Sequence, residues 1–478
     1  MADSAAPIVA ALVAAAHVTG ILSAIRALVT SRTPQGSIAW AFSLVTLPYV
    51  AVPLYWVLGR NRFNGYVEAL REKRIEKREA VEAMFEGIRE RRAPVDPESS
   101  PELAVLERLG PFPFTRGNDL ALLVDGEATF GAIFDAVEAA RSYVLVQFYI
   151  LRDDALGRAL AARLERKARA GVRVLVLYDE VGSFALPESY RARLREAGVS
   201  VSSFRTTRGP WNRFQLNFRN HRKIVVVDGA VAFVGGHNVG DEYIGKDERF
   251  GRWRDTHVRV EGPAARSLQM TFLADWYWAT REMPALEWHG PPPERGSRTA
   301  LVLPTGPTDE REACTLLFLQ AITTARKRLW IASPYFVPSV SVFEALKLAA
   351  LRGVDVRVLL PAKADHFLVW LAAFSFLPAA EAIGIAIHRY RAGFLHQKVF
   401  LVDDRVAGVG TANLDNRSMH LNFEVTLVAA DAGFAAEVEA MLEKDFAASE
   451  RVFADEVTGR GLLFRAAVNA ARLFEPIL

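Results

Sequence analysis

The sequence predicts an α/β protein with two tandem α/β sandwich domains related by pseudo-twofold symmetry, preceded by an N-terminal two-helix transmembrane hairpin. Three observations predict this class. A polar motif occurs twice, about 175 residues apart. The strand–helix–strand pattern around the motif is repeated with it, and the first 60 residues are almost entirely apolar. A chain of 478 residues is also long enough for more than one hydrophobic core.

The N-terminal segment, residues 1–60, is predicted to cross a membrane twice. Residues 8–29 and 37–58 are two apolar runs of about 22 residues each, which is long enough for spanning helices. Basic residues are absent before the first run and frequent after the second, from Arg60 to Arg92. The positive-inside rule therefore places the rest of the chain on the cytoplasmic side of the inner (plasma) membrane, as a multi-pass protein. The alternative is a pair of buried helices in a soluble protein.

A charged segment and a linker follow, at residues 61–101. Residues 64–92 are rich in Glu, Arg, Lys and Ala and indicate a helix, which either lies near lipid head groups or is a solvated connection. Residues 93–101 contain three prolines and two serines, a composition typical of a linker. A second linker, at residues 289–297, divides the remainder into two parts.

These two parts are the predicted sandwich domains, at residues 102–289 and 298–458. In each, a buried strand is followed by a segment with helical period and then by a second strand. The second strands match closely, since GVRVLVL at Gly171–Leu177 aligns with GVDVRVLL at Gly353–Leu360. A β-hairpin that carries the polar motif comes next. The repeat predicts one sheet with helices on its faces in each domain.

Two further apolar segments have two interpretations each. Residues 367–377 are too short to span a bilayer and form either a buried helix or a lip that contacts lipid. Residues 459–478 combine leucine and phenylalanine with Arg460, Arg465 and Arg472, which is typical of an amphipathic helix. That C-terminal helix lies either at the membrane interface or on the protein body.

The repeated motif is the most specific signal in the chain. Each copy has the spacing H-x-K-x4-D, and a G-x-x-N sequence begins seven residues after the Asp. The copies are His221, Lys223 and Asp228 with Gly235–Asn238, and His396, Lys398 and Asp403 with Gly410–Asn413. Histidine is scarce, with 9 in 478 residues, so chance duplication of the whole pattern is improbable. Two copies of one polar constellation predict two half-sites of a single active site.

These residue types suit phosphoryl transfer without a metal ion or another cofactor. A neutral imidazole can attack phosphorus, while a second, protonated imidazole donates a proton to the departing alkoxide. One histidine from each copy meets that need. The residues predicted to hold the phosphoryl oxygens by charge or hydrogen bonding are Lys223, Lys398, Asn238, Asn413 and Thr411.

Two carboxylates are candidates for orienting the imidazoles. Asp255 and Glu424 lie at comparable distances after the two motifs, and each begins a β-like run. A carboxylate on the far ring nitrogen fixes the tautomer and the orientation of a catalytic histidine. Asp228 and Asp403 belong to the motif but follow its strands at hairpin turns. We therefore expect these two aspartates to hold the turns.

Composition disfavours other kinds of site. Cys314 is the sole cysteine, which excludes an intrachain disulfide and argues against a structural zinc site. The sequence contains no P-loop and no H-E-x-x-H metal motif. The net charge is only +3, and this weak charge together with the apolar N-terminus argues against nucleic acid as a partner.

The duplicated motif resembles the phospholipase D superfamily, whose signature is this HKD pair. More narrowly, the chain resembles the bacterial cardiolipin synthases of that superfamily. The resemblance extends over nearly the whole length, including the two N-terminal apolar runs. It is carried by NFRNHRK at Asn217–Lys223, GRWRD at Gly251–Asp255, PYFVP at Pro334–Pro338 and GFLHQK at Gly393–Lys398. It implies that both sandwich domains are phospholipase D-like.

The resemblance also implies transphosphatidylation, with phosphatidylglycerol and other anionic membrane lipids as partners. One phosphatidylglycerol transfers its phosphatidyl group to a histidine and releases glycerol, and the hydroxyl of a second one then attacks to give cardiolipin. In this scheme His221 is the nucleophile and His396 the general acid and base. The chain departs from the family pattern at Gly236, where many members carry serine, so its two half-sites are unequal.

Three other functions share part of this evidence. A phospholipase D hydrolase would use the same residues but admit water in the second step, and the apolar N-terminus favours a lipid acceptor instead. A nuclease of the same fold is disfavoured by the weak net charge. A catalytically inactive membrane scaffold is disfavoured because the His, Lys and Asn of both motif copies are intact.

Overall fold

The computed structural model describes residues 5–30, 34–59, 63, 65–76, 78–207, 217–286 and 293–478. The chain folds as two compact units, one of residues 1–69 with 205–218 and one of residues 70–204 with 219–478. Several predicted features lie outside the described residues, namely the connector at 31–33, the basic residues Arg60, Arg62 and Lys77, and the linker residues 289–292.

Within the described residues, the apolar segment 1–60 forms three helices where two were predicted. Within the described residues, α1 (Ala5–Thr30) is the one helix long and apolar enough to cross a membrane, over Pro7–Thr30. The second predicted span is divided into α2 (Pro34–Thr46) and α3 (Pro48–Leu58), so the second apolar run does not form the single continuous helix that was predicted. The division lies at Leu47, with φ −132° and ψ 54°, because a proline disfavours helical backbone in the residue before it.

Small residues allow the helices of this unit to approach closely. A Cβ atom at Gly20 would lie 2.3 Å from the carbonyl oxygen of Leu44, so a larger residue would force α1 and α2 apart. Ala24, Ala27 and Tyr55 pack with Leu44 in a small core. Exposed apolar side chains on α1 include Leu12, Leu22 and Leu28. Small residues inside and large apolar residues outside are typical of helices packed in lipid.

The larger unit contains two halves with matching elements. The charged segment before them forms α4 (Tyr66–Glu76), whose first residues belong to the smaller unit, and α5 (Arg78–Arg89), and α6 (Pro101–Leu109) follows. The first half consists of β1 (Thr115–Val124), α7 (Asp125–Ala139), β2 (Tyr143–Phe148), α8 (Ala155–Arg169), β3 (Arg173–Asp179), α9 (Glu188–Glu196), β4 (Ser200–Phe204), β5 (Arg219–Asn220), β6 (Ile224–Val227), β7 (Val231–Gly235), β8 (Trp253–Arg254), β9 (Thr256–Glu261) and α10 (Pro263–Thr280).

The second half repeats this series and adds elements within it and at its end. It consists of β10 (Arg298–Thr305), α11 (Ala313–Thr324), β11 (Arg328–Ala332), β12 (Phe336–Val337), α12 (Val340–Leu351), β13 (Asp355–Pro361), α13 (Phe367–Ala373), α14 (Leu377–Glu381), β14 (Ala386–Tyr390), β15 (Phe394–Leu395), β16 (Val399–Val402), β17 (Val406–Gly410), β18 (Leu414–Asp415), α15 (Asn416–His420), β19 (Asn422–Ala430), α16 (Ala432–Ala447), β20 (Ser449–Val452), α17 (Asp455–Thr458) and α18 (Leu462–Arg472).

In the described part of the chain, sixteen strands form one sheet that runs through both halves. Its order is β20-β14-β13-β11-β16-β17-β19-β10-β1-β9-β7-β6-β2-β3-β4, with β5 pairing the start of β19. The halves meet where β1 and β10 pair antiparallel, and the order on one side of this junction mirrors the order on the other. The predicted α/β fold with two related regions is therefore confirmed.

Both faces of the sheet are covered, which explains the continuous apolar strands. In β2, Val144, Val146 and Phe148 pack in the core that α7 and α8 help to form. Gln147 points to the opposite face and donates a hydrogen bond to Asp275 of α10. Successive side chains of a strand alternate between faces, so a strand covered on both faces has no exposed position.

The C-terminal segment docks on the protein body. Phe464 of α18 stacks edge-on against Phe374, with ring centroids 5.5 Å apart, and Val468 is buried. Leu462 and Leu463 of the same helix remain 73% and 87% exposed. The helix therefore adopts the docked arrangement while keeping an exposed apolar edge.

Candidate active site

Each motif histidine lies beside a strand of the other half. The N–H of His221, which follows β5, donates to the carbonyl oxygen of Phe423 at 2.9 Å. The N–H of His396, which follows β15, donates to the carbonyl oxygen of Arg254 at 2.8 Å. In both cases the acceptor immediately precedes one of the two predicted orienting carboxylates. The backbone thus brings the four predicted residues into one cluster at the junction of the halves.

The carboxylates reach the histidines in a crossed arrangement. Glu424 of the second half contacts His221 of the first, with Oε2 2.9 Å from Nδ1. Asp255 of the first half contacts His396 of the second, with Oδ2 2.8 Å from Nδ1. All four side chains are buried. A carboxylate on Nδ1 places the ring hydrogen there, so Nε2 of each neutral imidazole keeps its lone pair for chemistry.

Both imidazoles are held in their neutral form before a substrate enters. Burial lowers the pKa of His221 to about 4, Lys223 acts in the same direction, and Glu424 acts against them. Burial and the nearby Lys398 lower the pKa of His396 well below its ordinary value. A neutral imidazole is the nucleophilic form. An anionic phosphate that enters this cluster would favour protonation of the second histidine, as a general acid requires.

The motif lysines lie inside the cluster. Lys223 Nζ donates to the carbonyl oxygen of His221 at 2.6 Å, and Lys398 Nζ lies 3.1 Å from Nε2 of His396. Burial lowers the pKa of Lys398 to about 8 and that of Lys223 well below its ordinary value. When protonated, these buried side chains would gain a counter-ion from the oxygens of a phosphodiester, which stays the role predicted for them from the sequence.

Of the three predicted hydrogen-bond donors to phosphate, Thr411 has another role. Its hydroxyl donates to Oε2 of Glu424 at 2.6 Å, and a hydroxyl has only one hydrogen to give. The predicted contact of Thr411 with phosphate is therefore replaced by support of the orienting carboxylate. The amide oxygen of Asn238 accepts from the N–H of Ile150, and the amide nitrogen of Asn413 donates to Asp415. Each asparagine amide nitrogen carries two hydrogens, which leaves capacity for a further acceptor.

The two motif aspartates lie at hairpin turns and bind backbone N–H groups. Asp228 accepts from the N–H groups of residues 141–143, and Asp403 accepts from those of residues 326–328. Both have φ of 51°, in the left-handed region that turns require. Their carboxylates attach the β6–β7 and β16–β17 hairpins to the start of β2 and β11. They belong to the motif but hold its strands and do not join the reacting cluster.

Two buried helix aspartates support the motifs and were not found from the sequence. Arg222, the middle residue of the first motif, pairs with Asp275 of α10 at 2.8 Å. Gln397, its counterpart in the second motif, donates to Asp445 of α16 at 2.7 Å, and Arg254 also pairs with this carboxylate. A single acidic residue on the apolar face of each following helix was the available signal. Both contacts fix the strand segment that carries His and Lys.

The histidines face different surroundings. The ring of Tyr149 lies edge-on to His221, with centroids 5.0 Å apart. Trp253 lies 5.1 Å from His396, and Phe394 stacks on the same imidazole at 6.1 Å. The imidazole of His221 therefore has a neighbouring ring that carries a hydroxyl group, whereas the two rings beside the imidazole of His396 carry none.

Another histidine pair lies behind the cluster. His237 and His257 are fully buried, and their Nδ1 atoms are 3.2 Å apart. Burial lowers the pKa of both to about 3, so both are neutral. Across the described ranges, this pair included, no three His, Cys, Asp or Glu side chains are placed to hold a metal ion.

Comparison with known proteins points in one direction. A family profile described as "Cardiolipin synthase, PLD-like domain" matches residues 133–276 and 318–446. A protein named cardiolipin synthase A from Pseudomonas putida is 48% identical over 464 residues, which is 97% of this chain and 96% of that protein. One of the same name from Pseudomonas fluorescens is 48% identical over 473 residues, or 98% of both chains.

Among solved structures, the phosphatidylserine synthase of Haemophilus influenzae matches with a TM-score of 0.60 at 14% sequence identity. The match covers 80% of this chain and 100% of that one. At this identity the likeness concerns the fold, and it includes both halves of the larger unit.

Proposed function

The chain belongs to the family of cardiolipin synthases with phospholipase D-like domains, and we propose that it joins two phosphatidylglycerol molecules through a phosphohistidine. It is a phosphatidyltransferase that acts on phospholipids and is associated with a membrane. One observation carries the proposed mechanism. The crossed contacts of Glu424 with His221 and of Asp255 with His396 leave two Nε2 atoms, one from each half, for chemistry.

In the first step, Nε2 of neutral His221 attacks the phosphorus of one phosphatidylglycerol. The N–P bond forms as the bond from phosphorus to the glycerol oxygen breaks, and protonated His396 donates its Nε2 proton to that oxygen. Glycerol leaves and His396 becomes neutral. Lys223 and Lys398 neutralise the phosphoryl oxygens while their charge increases.

In the second step, the head-group hydroxyl of another phosphatidylglycerol attacks the phosphorus. Neutral His396 takes the hydroxyl proton, the N–P bond breaks, and its electron pair returns to His221. Both histidines regain their starting states. The sum is two phosphatidylglycerol molecules converted into one cardiolipin and one glycerol, with no water consumed.

The assignment of His221 as nucleophile is supported by the network around its carboxylate. A phosphohistidine with Nδ1 protonated carries a positive ring, so it needs an anion that stays ionised. Burial alone would raise the pKa of Glu424, but His221, Lys223 and the hydrogen bond from Thr411 hold it below its ordinary value. Ser418 and Asn422 also donate to Oε1 of this carboxylate, at 2.8 and 3.1 Å.

The proposed location is the inner membrane, with the larger unit on the cytoplasmic side. The apolar helix α1 supports one crossing, and the helix pair α2–α3 would supply the return. The excess of basic residues after residue 59 supports the orientation. Cysteine substitutions at Ala6 and at Glu90, probed in intact cells with a membrane-impermeant reagent, should both be protected. Labelling of Glu90→Cys from outside would contradict this topology.

The reaction is tested with the purified full-length chain in phosphatidylglycerol vesicles, with and without EDTA, and with products identified by lipid mass spectrometry. We expect cardiolipin and free glycerol in equal amounts, with little change on chelation. Phosphatidic acid as the main product would indicate a hydrolase with the same two-histidine mechanism. Absence of any lipid product would favour a donor with a different head group, such as phosphatidylethanolamine with phosphatidylglycerol as acceptor.

A further inference from the structure

The C-terminal helix α18 has three faces, and two of them are apolar. Residues three or four positions apart lie on the same side of a helix. The docked face contains Phe464 with the buried Val468 and Ala471. The second apolar face consists of exposed residues at the same spacing, Leu463, Ala466, Ala467 and Ala470. Leu473 and Phe474, directly after the helix, are 80% and 48% exposed. The docked face holds the helix on the protein, and the second face is open to solvent.

The third face of α18 is basic. Arg465 and Arg472 share this face with Asn469, and all three side chains are exposed. Residues 459–478 contain three arginines and one acidic side chain, Glu475, which lies 3.6 Å from Arg472. A basic face beside an exposed apolar one is typical of helices that lie in the interface of an anionic membrane.

Helix α13 extends the apolar surface beyond α18. Phe367 is 67% exposed at the start of α13, and Leu368 is beside it. A series of ring contacts leads from Phe367 to α18, through Trp370 at 5.9 Å, from there to Phe374 at 4.6 Å, and on to Phe464 at 5.5 Å. The exposed side chains of both helices form what we call the α13–α18 surface, namely Phe367, Leu368, Leu462, Leu463, Leu473 and Phe474. Exposed apolar patches on folded proteins mark interaction sites.

The end of this surface adjoins the catalytic cluster through α15. The carbonyl oxygen of Glu475, next to Phe474, accepts a hydrogen bond from Nδ2 of Asn416 at 3.1 Å. Asn416 begins α15, and Ser418 of the same helix donates to Oε1 of Glu424 at 2.8 Å. One short helix therefore separates the end of the α13–α18 surface from the carboxylate that orients the proposed nucleophile.

The other end of the surface adjoins the second motif copy. The hydroxyl of Tyr335 donates to Asp365, which lies two residues before the start of α13. Phe336, the next residue, lies opposite Leu414 in the pairing of β12 with β18. Leu414 directly follows Asn413, the last residue of the second G-x-x-N sequence. Both helices of the surface are thus attached to backbone at the second half-site.

We propose that the α13–α18 surface lies on the bilayer, with its apolar side chains among the acyl chains and its basic face at the phosphates of anionic lipids. This assignment rests on the proposed function, because an enzyme whose substrates are bilayer lipids must bring its active site to the membrane surface. Helix α1 would keep the chain at the membrane, whereas the α13–α18 surface determines which side of the larger unit faces the lipid. Phosphatidylglycerol then reaches the two histidines from the side of the second half-site.

The contact is tested with a fluorescent probe on one added cysteine in the full-length chain, since the native Cys314 is buried. Leu463→Cys reports on the surface, and Leu351→Cys, at a leucine that is 69% exposed at the end of α12, is the matched control. Both labelled variants are reconstituted in phosphatidylglycerol vesicles, with or without nitroxide groups on the acyl chains. The nitroxide should lower the fluorescence at position 463 about twofold or more, because an interfacial helix lies at the boundary of head groups and acyl chains. Position 351 should not respond.

Two results of the probe experiment would overturn the proposal. One is an equal response, or none, at both positions. The other is quenching of the probe at position 463 by a second labelled copy of the chain without any effect of the nitroxide lipid, which would show that this face binds another copy.

Activity on two physical forms of the same lipid tests the consequence for catalysis. Leu463→Gln combined with Leu473→Gln should lower cardiolipin formation from phosphatidylglycerol vesicles about 10-fold, because each leucine loses a favourable burial in lipid. Short-chain phosphatidylglycerol, supplied from solution to the chain in phosphatidylcholine vesicles, does not require this contact, and its rate should change less than about threefold, as for ordinary surface substitutions. Leu351→Gln should leave both rates unchanged.

The two lipid forms also separate this proposal from the proposed function. An unchanged rate on vesicles in the double variant would overturn the membrane contact. Equal loss of both rates would indicate a structural role for the two leucines and would overturn it as well. Failure of the unaltered chain with both forms of the lipid would instead overturn the proposed function.

Discussion

The two half-sites contain the same motif but differ in what surrounds it. Around His221, the orienting Glu424 accepts hydrogen bonds from Thr411, Ser418 and Asn422. Around His396, the orienting Asp255 accepts one further bond, from the N–H of Thr256 at 2.8 Å. The duplicated motif supplies the same reacting atoms in both halves. The residues around the motif are not duplicated, and they give the two histidines different surroundings.

The difference is already present in one residue of the G-x-x-N sequences. Thr411 supports Glu424, and its counterpart in the first half is Gly236. A Cβ atom at Gly236 would lie 2.0 Å from Oδ1 of Asp255, so this carboxylate occupies the space that a side chain would need. Glu424 in one half therefore has the longer side chain and a hydroxyl donor. Asp255 in the other half has the shorter side chain and packs against the backbone of a glycine.

The largest expected effect comes from removing either histidine. His221→Ala and His396→Ala should each lower cardiolipin formation from phosphatidylglycerol by at least about 10⁴-fold, because nucleophile and general acid act as one unit. Mass spectrometry of the lipid products measures the rates. If one variant kept a rate near that of the unaltered chain, a single site shared by both halves would be excluded.

Neutralising either orienting carboxylate should have the next largest effect on the rate. Glu424→Gln and Asp255→Asn remove the charge that holds each imidazole and should lower the rate by about 10³-fold. Thermal unfolding of both variants provides the control, since the comparison requires folded protein. A strong loss in one variant beside normal activity in the other would show that only one histidine depends on its carboxylate.

Smaller effects should distinguish the hydrogen bond from Thr411 to Glu424 from the close approach of Gly236 to Asp255. Thr411→Val removes the hydroxyl bond to Glu424 and should lower the rate by about 10- to 100-fold, whereas Thr411→Ser keeps the hydroxyl and most of the rate.

Gly236→Ala should displace Asp255 and lower the rate by up to about 10²-fold, since small misplacements are costly in an active site. Steady-state rates on vesicles measure all three. Full activity of Gly236→Ala would mean that the close approach to Asp255 is not required.

The smallest expected effect is a shift of the pH profile. Burial lowers the pKa of Lys398 to about 8, so this group is charged below that pH and neutral above it. If its charge holds the phosphoryl oxygens, the rate falls as the pH rises through about 8. Lys398→Arg keeps a charged side chain and should move this alkaline limb upward. An unchanged limb in the variant would assign it to another group.

The motif residues of the site could be predicted from the sequence because they lie close together in the chain. His221 and Lys223 are two residues apart on one strand segment, and Asp228 follows at the hairpin turn, so their relation survives folding. The α/β repeat was equally readable, because the strands around Gly171–Leu177 and Gly353–Leu360 keep the same apolar pattern. The choice of Asp255 and Glu424 as orienting candidates rested on the same local correspondence.

The crossing of these carboxylates could not be predicted, because it depends on contacts between residues far apart in the chain. His221 and Glu424 are 203 positions apart, and His396 and Asp255 are 141 apart. The pairing of β5 with β19 and of β15 with β8 brings them together. The role of Thr411 depends on the same geometry, since its hydroxyl could reach either a phosphate or a carboxylate.

The division of the second apolar run into two helices could not be predicted from its composition. Its length alone predicted a spanning helix, whereas Pro48 divides it at Leu47. Proline was visible in the sequence, but composition does not decide whether a helix continues through it with a kink or begins again. In this chain Pro48 is the first residue of a new helix, a position that proline favours.

The most direct test of the unequal half-sites uses a donor that needs no general acid. In phosphatidyl-p-nitrophenol the leaving group departs without protonation, so a variant that retains the nucleophile should release one equivalent of nitrophenol rapidly. We predict this burst for His396→Ala, with mass spectrometric detection of a phosphatidyl group on His221, and we predict no burst for His221→Ala. A burst in His221→Ala, with a phosphatidyl group on His396, would contradict the assignment and reverse the roles of the two halves.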